Sequence, residues 1–216
     1  MDYVNYIARL LPFMLEGTLV TLKLFFFTLL LALPLGIVVA VARLAKFKPL
    51  SILMQFYIWI FRGTPLLLQL LFVYFGLIPL GITIQRFPAA LLTFVLNYAA
   101  YLAEIYRAGI QSIDKGQYEG AYVLGLSRWQ TLSRIILPQT FKRVLPPVSN
   151  DVINLIKDTG LVYIIGLSEL LRVSRTAVVR DFNLMPFVIA AVFYLFMTGF
   201  IQQFFKWLES KYDYYQ

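Results

Sequence analysis

The chain has 216 residues, of which 60% are hydrophobic, 17% aromatic and only 14% charged. A soluble domain carries far more charge, so this composition indicates a single integral membrane domain with no room for a separate soluble one. The absence of cysteine and histidine excludes disulfides and iron–sulfur clusters, and it removes the commonest metal ligand and the usual general base. The net charge of +8 does not indicate a nucleic-acid partner, because the basic residues mainly flank apolar runs.

Apolar runs predict an all-α chain with five transmembrane helices. The uncharged run 24–42, extended backwards to residue 17, is long enough to span a bilayer. The run 51–84 is too long for one helix, and Arg62-Gly63-Thr64-Pro65 interrupts it. Residues 166–181 predict a short amphipathic helix at the membrane surface, with Ser168 near its start. The predicted spans, within one domain of residues 1–216, are 17–42, 51–80, 88–107, 141–157 and 184–206.

Two of these spans carry polar stripes. In the third, Asn97, Tyr101 and Glu104 share one helical face, and in the fourth, positions 147, 151, 154 and 158 do so. Ionisable groups in a span normally face a protein interior or a watery path. We therefore expect the stripes to face each other and to line a route for a small polar solute, and a pair of carboxylates suits a cationic side chain. The predicted solute contacts are Tyr98, Tyr101, Glu104, Asn150, Asp151 and Asn154.

The same ionisable groups also have a structural explanation. Glu104 can pair with Arg107 as a lock between side chains. Asp151 can pair in the same way with Arg143 or Lys157. Arg62 can bind free carbonyls at a helix end or a carboxylate of a partner helix, or it can act in gating. The residues to which we assign gating or structural roles are Arg62, Lys157 and Asp158.

The segment 115–139 is a polar island between the third and fourth spans. Residues 117–124 predict a short amphipathic helix, and Gly125 lets the chain turn without a Cβ penalty. Such a short helix has little stability of its own and needs a surface to lie against. Its predicted apolar side consists of Tyr118, Ala121, Tyr122 and Leu124.

This island closely resembles the cytoplasmic coupling loop of ABC-importer permeases, the EAA motif, which reads E-A-A, three residues, G, and later I-x-L-P. The matching residues are Glu119, Ala121, Gly125, Ile135, Leu137 and Pro138, and Gly120 stands where the family usually has the first Ala. Residues 62–65, 98–107 and 157–161 resemble signatures of the subgroup that takes up polar amino acids such as histidine, glutamine and arginine. The resemblance implies a type I ABC-importer permease fold. It also implies ATPase-coupling roles for Glu119, Gly120, Ala121, Gly125, Leu126, Leu137 and Pro138.

The resemblance further implies the membrane-spanning subunit of an ATP-driven amino acid importer, and not an enzyme. The sequence has no G-x-x-x-x-G-K-[ST] loop, so the ATP and Mg would be used by a partner ATPase and not bound by this chain. The implied partners are two ABC ATPase subunits, a second permease subunit in a homo- or heterodimer, and an extracellular or periplasmic solute-binding protein. The implied location is the lipid bilayer of a bacterial or archaeal plasma membrane. The carboxylates favour a basic amino acid, with glutamine and histidine left open.

Loop charge gives a topology. Eleven of the 19 Lys and Arg residues lie on the side of the 115–139 loop if that loop is cytoplasmic, which puts the N-terminus outside and the C-terminus inside. Two other classes compete with the importer. A self-sufficient secondary transporter would show inverted repeats, which five spans do not contain, and a structural subunit of a larger complex would use polar stripes only to join helices. Co-purification of a P-loop ATPase that detaches when Glu119 or Gly125 is mutated discriminates among them.

Overall fold

The computed structural model describes residues 3–212, with side chains from residue 4, and all the regular structure in that range is helical. Residues 1–2 and 213–216 of the predicted domain lie outside the described part. The helices are α1 (Tyr3–Arg43), α2 (Lys48–Gly63), α3 (Leu66–Leu71), α4 (Arg86–Gln111), α5 (Lys115–Val123), α6 (Arg128–Thr131), α7 (Leu137–Asp158), α8 (Leu170–Asp181) and α9 (Met185–Lys211). π-helical turns at Phe72–Gly76 and Leu132–Ile136 and 3₁₀ turns at Ile78–Leu80 and Thr159–Ile165 connect them.

The prediction of an all-α membrane protein is confirmed. Within residues 3–212, α1, α4 and α9 are long and apolar enough to cross a membrane, and α2 with α3 adds a fourth crossing if the bent pair is one span. The predicted fourth span corresponds to α7, whose polar face makes it less apolar than these helices, so the count of five stays a prediction. Helix α1 begins at Tyr3, well before the predicted residue 17, because Leu10 and Met14 are buried against α8.

Helix α4 lies at the centre of the molecule and packs against α1, α2, α3 and α7. Small residues permit this, since they let helix backbones approach closely. A Cβ on Gly36 of α1 would lie 2.8 Å from the Cβ of Leu102, and a Cβ on Gly109 would lie 2.2 Å from Val144. Such contacts bring α1 and α7 against α4 with no space between them. The buried small residues of α4 are Ala89, Ala90, Ala99, Ala100, Ala103 and Gly109.

The long helices give the molecule two ends. Helices α4 and α7 run antiparallel, since Gly109 lies against Val144 near the intervening loop while Tyr98 bonds to Asp158 further along both helices. The segment 112–136, with α5 and α6, forms one end, which we call the loop end. Helix α8 packs against the first half of α1 and forms the opposite end, which we call the α8 end.

A buried carboxylate starts α8. Glu169 is fully buried and caps the helix, accepting hydrogen bonds from the backbone N–H groups of Leu171 and Arg172, both at 2.7 Å. Burial raises the pKa of Glu169 to about 7, and these two N–H donors act in the opposite direction. The predicted short helix is present, with Ser168 just before its start, but the cap is one residue later, at Glu169. Glutamate is not among the preferred capping residues, so sequence reasoning missed Glu169.

Candidate functional site

The interruption predicted at residues 62–65 is a sharp bend, where the direction of the chain changes by 104° between α2 and the helical segment that begins with α3. Pro65 has no N–H to donate, so carbonyls at the end of α2 need other donors. The side-chain amide of Gln69 supplies them, donating to the carbonyl oxygens of Phe61 at 2.9 Å and Thr64 at 3.1 Å. Asn97 of α4 donates to Phe61 O at 3.0 Å and to Gln69 Oε1 at 2.9 Å. We call Phe61, Thr64, Gln69 and Asn97 the bend clamp.

The bend clamp changes the interpretation of the third span. Asn97 binds the bend between α2 and α3, so the prediction that it faces the fourth span is wrong. Gln69 had no assigned role, although it is a polar residue in an otherwise apolar run, four residues after Pro65. That spacing is the signal that could have identified it, because a side chain one turn after a proline can reach the carbonyls left free.

Replacing Gln69 with leucine is expected to lower the free energy of unfolding by about 2–3 kcal/mol, because the partly buried Thr64 carbonyl loses its side-chain donor and Asn97 loses an acceptor. Thermal unfolding of the purified chain in detergent measures the loss. The matched control is Gln55→Leu, the same change at an exposed position of α2, which is expected to leave the transition unchanged. Equal stability of the two variants would contradict a role for the clamp.

A second group of polar side chains joins α4 to α7. The Tyr98 hydroxyl donates to Asp158 Oδ2 at 2.7 Å, and the guanidinium of Arg62 lies 5.2 Å from the centre of the Tyr101 ring. The Oδ2 atom of Asp151 is buried and has no hydrogen-bond partner among the described residues. Arg62 interacts electrostatically with Asp151 across this group. We call Arg62, Tyr98, Tyr101, Asp151 and Asp158 the polar cluster.

Glu104 does not belong to this cluster. It accepts a hydrogen bond from Arg107 Nε at 3.0 Å, and the two side chains form an ion pair within α4. This is the structural pairing considered from the sequence. On α7, Asn150 is exposed and Asn154 is half-buried. Neither side chain forms a hydrogen bond to the polar cluster within the described part of the chain.

Neither cation proposed as a lock for Asp151 forms an ion pair with it in the described part of the chain. Arg143 instead donates to the backbone carbonyl of Ser112, which ties α7 to the end of α4. Lys157 is exposed and interacts electrostatically with Asp158. The structural explanation therefore accounts for Glu104 and leaves one oxygen of Asp151 without a hydrogen-bond partner among residues 4–212.

At the loop end, α5 confirms the short helix predicted in the island. Asp114 caps its start by accepting from Gly116 N at 2.6 Å. At its end Gly125 has φ +71°, and its N–H donates to Tyr122 O while that of Leu126 donates to Ala121 O. These two bonds form a Schellman motif, which requires the left-handed conformation that glycine adopts without strain. The sequence-based role of Gly125 as a turn residue is therefore confirmed.

The apolar side of α5 faces away from the rest of the chain. The large apolar residues exposed here form what we call the coupling patch: Tyr122 (83% exposed), Val123 (82%), Leu124 (77%) and Trp129 (70%). Ala121 is only 2% exposed, so its predicted place on the outward apolar side is wrong, and it packs towards the chain itself. Of the other predicted coupling residues, Glu119, Gly120, Leu137 and Pro138 are exposed and Leu126 is half-buried.

Comparisons with known proteins match this arrangement to a transport family. The family model described as binding-protein-dependent transport system inner membrane component matches residues 32–214. The chain belongs to this family. The arginine transport system permease protein ArtQ of Bacillus subtilis is 40% identical to this chain over 203 residues, and the alignment covers 93% of each protein. The putative glutamine transport system permease protein GlnP of Rickettsia felis is 35% identical over 212 residues, covering 96% of this chain and 97% of that one.

Solved structures share the fold of this inner membrane component. A chain of a structure described as an amino acid ABC transporter with histidines has a TM-score of 0.90 and 32% identity, and the alignment covers 98% of this chain and 99% of that chain. A chain of the MetNI methionine ABC transporter in an inward-facing conformation has a TM-score of 0.72 at 18% identity and is similar in fold alone. The resemblance to ABC-importer permeases and the predicted permease fold are thereby confirmed.

Proposed function

We propose that this chain forms half of the membrane path for a polar amino acid, with the polar cluster as the solute site and the coupling patch as the contact to an ATPase. The chain is the permease component of an amino acid importer of the ABC class and not an enzyme. The single observation that carries the site proposal is Asp151 Oδ2, a buried carboxylate oxygen with no hydrogen-bond partner in the described part of the chain. A polar atom buried in this way is costly unless a ligand binds it.

A basic amino acid fits this oxygen best. Its cationic side chain would bind Asp151, and Tyr101 with the Tyr98 hydroxyl would border the same space. The relative named for arginine transport supports this choice. Glutamine is the second candidate, since other relatives are named for it and a side-chain amide can also donate to a carboxylate. Asn150 and Asn154, on either side of Asp151 in α7, remain proposed contacts, and Glu104 is the weakest candidate because Arg107 already binds it.

The energy for transport would enter at the loop end. Helices α4 and α7 flank the loop and also carry the polar cluster, so displacement of α5 would act directly on the helices that border the solute. Two ATPase subunits would bind two copies of the coupling patch, one from each permease subunit, and a solute-binding protein would deliver the amino acid at the α8 end. ATP drives alternating access only if it interacts differently with the two states.

This mechanism fixes an orientation. The loop end and the C-terminus would lie in the cytoplasm, and the N-terminus and α8 would lie outside. The excess of Lys and Arg on the loop side supports this orientation. The chain would be a multi-pass protein of a bacterial or archaeal plasma membrane.

The test is reconstitution of the permease with its ATPase and solute-binding protein in proteoliposomes, followed by ATPase measurements with individual amino acids. Arginine and lysine are expected to stimulate hydrolysis several-fold more than neutral amino acids, because only they carry a cation to Asp151. Stimulation by glutamine alone would contradict the charge argument and leave the importer function intact. Uptake that needs no ATP and follows an ion gradient would contradict the importer function itself.

A further inference from the structure

Helix α8 has two different faces. Leu170, Ser174 and Ala177 are buried, at 0%, 0% and 4% exposure. The other face carries cationic and small polar groups at intervals of three and four residues, so they form one stripe along the helix. The residues of this arginine face are Arg172, Arg175, Thr176, Val179 and Arg180.

The buried face fixes the start of α8 at the boundary of the membrane. Leu170 N donates to Thr21 Oγ1 at 3.3 Å, and a Cβ on Gly17 would lie 3.0 Å from the backbone of Leu170. Both α1 residues come just before the uncharged run 24–42, whose length of about 28 Å matches the hydrocarbon core of a bilayer. The first turns of α8 therefore lie at the depth of lipid headgroups, far from the coupling patch, and the helix continues outward along α1 until Asp181 meets Tyr6.

The arginine face borders a cavity of about 500 Å³, and its lining among residues 4–212 contains three arginines, Thr176, Val179 and Tyr163, and no carboxylate. The guanidinium of Arg175 stacks 5.0 Å from the centre of the Tyr163 ring, which holds it in place. Arg180 is bound to Asp181 at 2.6 and 2.7 Å, whereas Arg172 and Arg175 form no ion pair with other described residues. Two guanidinium groups are thus available to an anion, and their planar forks match phosphate geometry.

A second cavity, of about 450 Å³, lies on the other flank of α8 and shares Arg172, Thr176 and Arg180 with the first. Its remaining lining is mostly apolar and comes largely from α1, and it includes Glu16. A carboxylate there disfavours a phosphate on this flank, which leaves the apolar groove for a hydrocarbon chain. The apolar lining residues are Leu10, Phe13, Val20, Val173 and Ala177.

We propose that α8 is a binding site for an anionic phospholipid. The headgroup phosphate binds Arg172, Arg175 and the Thr176 hydroxyl, and one acyl chain passes Gly17 and Val20 of α1 to enter the hydrocarbon core. Charge complementarity selects an anionic lipid over a zwitterionic one, and the adjoining groove selects a lipid over free phosphate. The bound lipid would hold α8 against α1. This proposal is independent of which amino acid is transported.

The test is native mass spectrometry of the full-length permease in detergent, titrated with phosphatidylglycerol or phosphatidylcholine. The wild type is expected to bind phosphatidylglycerol selectively, and Arg172→Gln/Arg175→Gln is expected to bind it roughly 30-fold more weakly, since each surface arginine contributes about fivefold. Lys46→Gln/Lys48→Gln removes the same charge from exposed residues at the opposite end and is expected to retain the wild-type affinity. Melting temperatures without added lipid check that all three proteins are folded.

Three outcomes separate the alternatives. Unchanged phosphatidylglycerol binding by a folded arginine variant overturns the proposal. If an arginine variant keeps its lipid binding but its ATPase activity is no longer stimulated by the solute-binding protein, the proposal is also overturned, because the arginine face would then be a protein-docking surface. Displacement of the lipid by equimolar inorganic phosphate would also overturn it, because the acyl groove would then contribute nothing. Partial recovery of binding in Arg172→Lys/Arg175→Lys is the result expected if the fork geometry adds to the charge.

Discussion

Replacing Asp151 with asparagine is expected to lower uptake of arginine or lysine by roughly 10- to 100-fold, the effect of losing one hydrogen bond to a charged group. The change keeps the size and shape of the side chain. Because Oδ2 of Asp151 has no partner among the described residues, the variant breaks no protein hydrogen bond at that atom. The loss should therefore appear in transport and not in the melting temperature of the permease.

The matched control for this prediction is Glu104→Gln, which neutralises a carboxylate of α4 that lies outside the polar cluster. Glu104 is already bound to Arg107, so its replacement is expected to lower stability while affecting selectivity little. Uptake of [3H]arginine into proteoliposomes, compared with uptake of glutamine, measures both variants. Equal losses for arginine and glutamine in Asp151→Asn would indicate a structural role for Asp151 and would contradict direct contact with a cationic side chain.

Introducing aspartate at both Tyr122 and Leu124 is expected to weaken association with the ATPase by more than about 100-fold, because two charges would have to be buried in an apolar contact. The permease itself should fold normally, since these side chains are 83% and 77% exposed. The measurement is the amount of ATPase that co-purifies with the tagged permease from membranes that contain both. Undiminished co-purification would show that the coupling patch is not the ATPase contact.

Gly120→Ala is the control on the same helix. A Cβ at this position meets no atom within 4 Å, and alanine is favoured over glycine in a helix by about 1 kcal/mol. The variant restores the residue that the family usually has there. It is expected to bind the ATPase at least as well as the wild type, whereas a loss would mean that the partner approaches the backbone of α5 at Gly120.

The sequence by itself determined the features that depend on neighbours within a few turns. The apolar runs determined the helical membrane class, because a segment in lipid must pair its own backbone N–H and C=O groups, and a single helix does so. Asp114 and Gly125 mark the two ends of a helix of nine residues, and both act through hydrogen bonds to groups only a few positions away. The break before Pro65 follows from the missing N–H of proline. Family membership also came from short motifs of this local kind.

Only the tertiary structure decided which polar group each side chain meets. Tyr98 and Asp158 are 60 residues apart in the chain, and Asn97 reaches Phe61 across 36. Helical periodicity put Asn97 on a face, but the bend between α2 and α3 determined what lay opposite that face. Glu169 became a buried cap because α1 and α9 enclose the start of α8. Burial and pairing depend on how whole helices pack, and the spacing of residues within one helix does not contain that information.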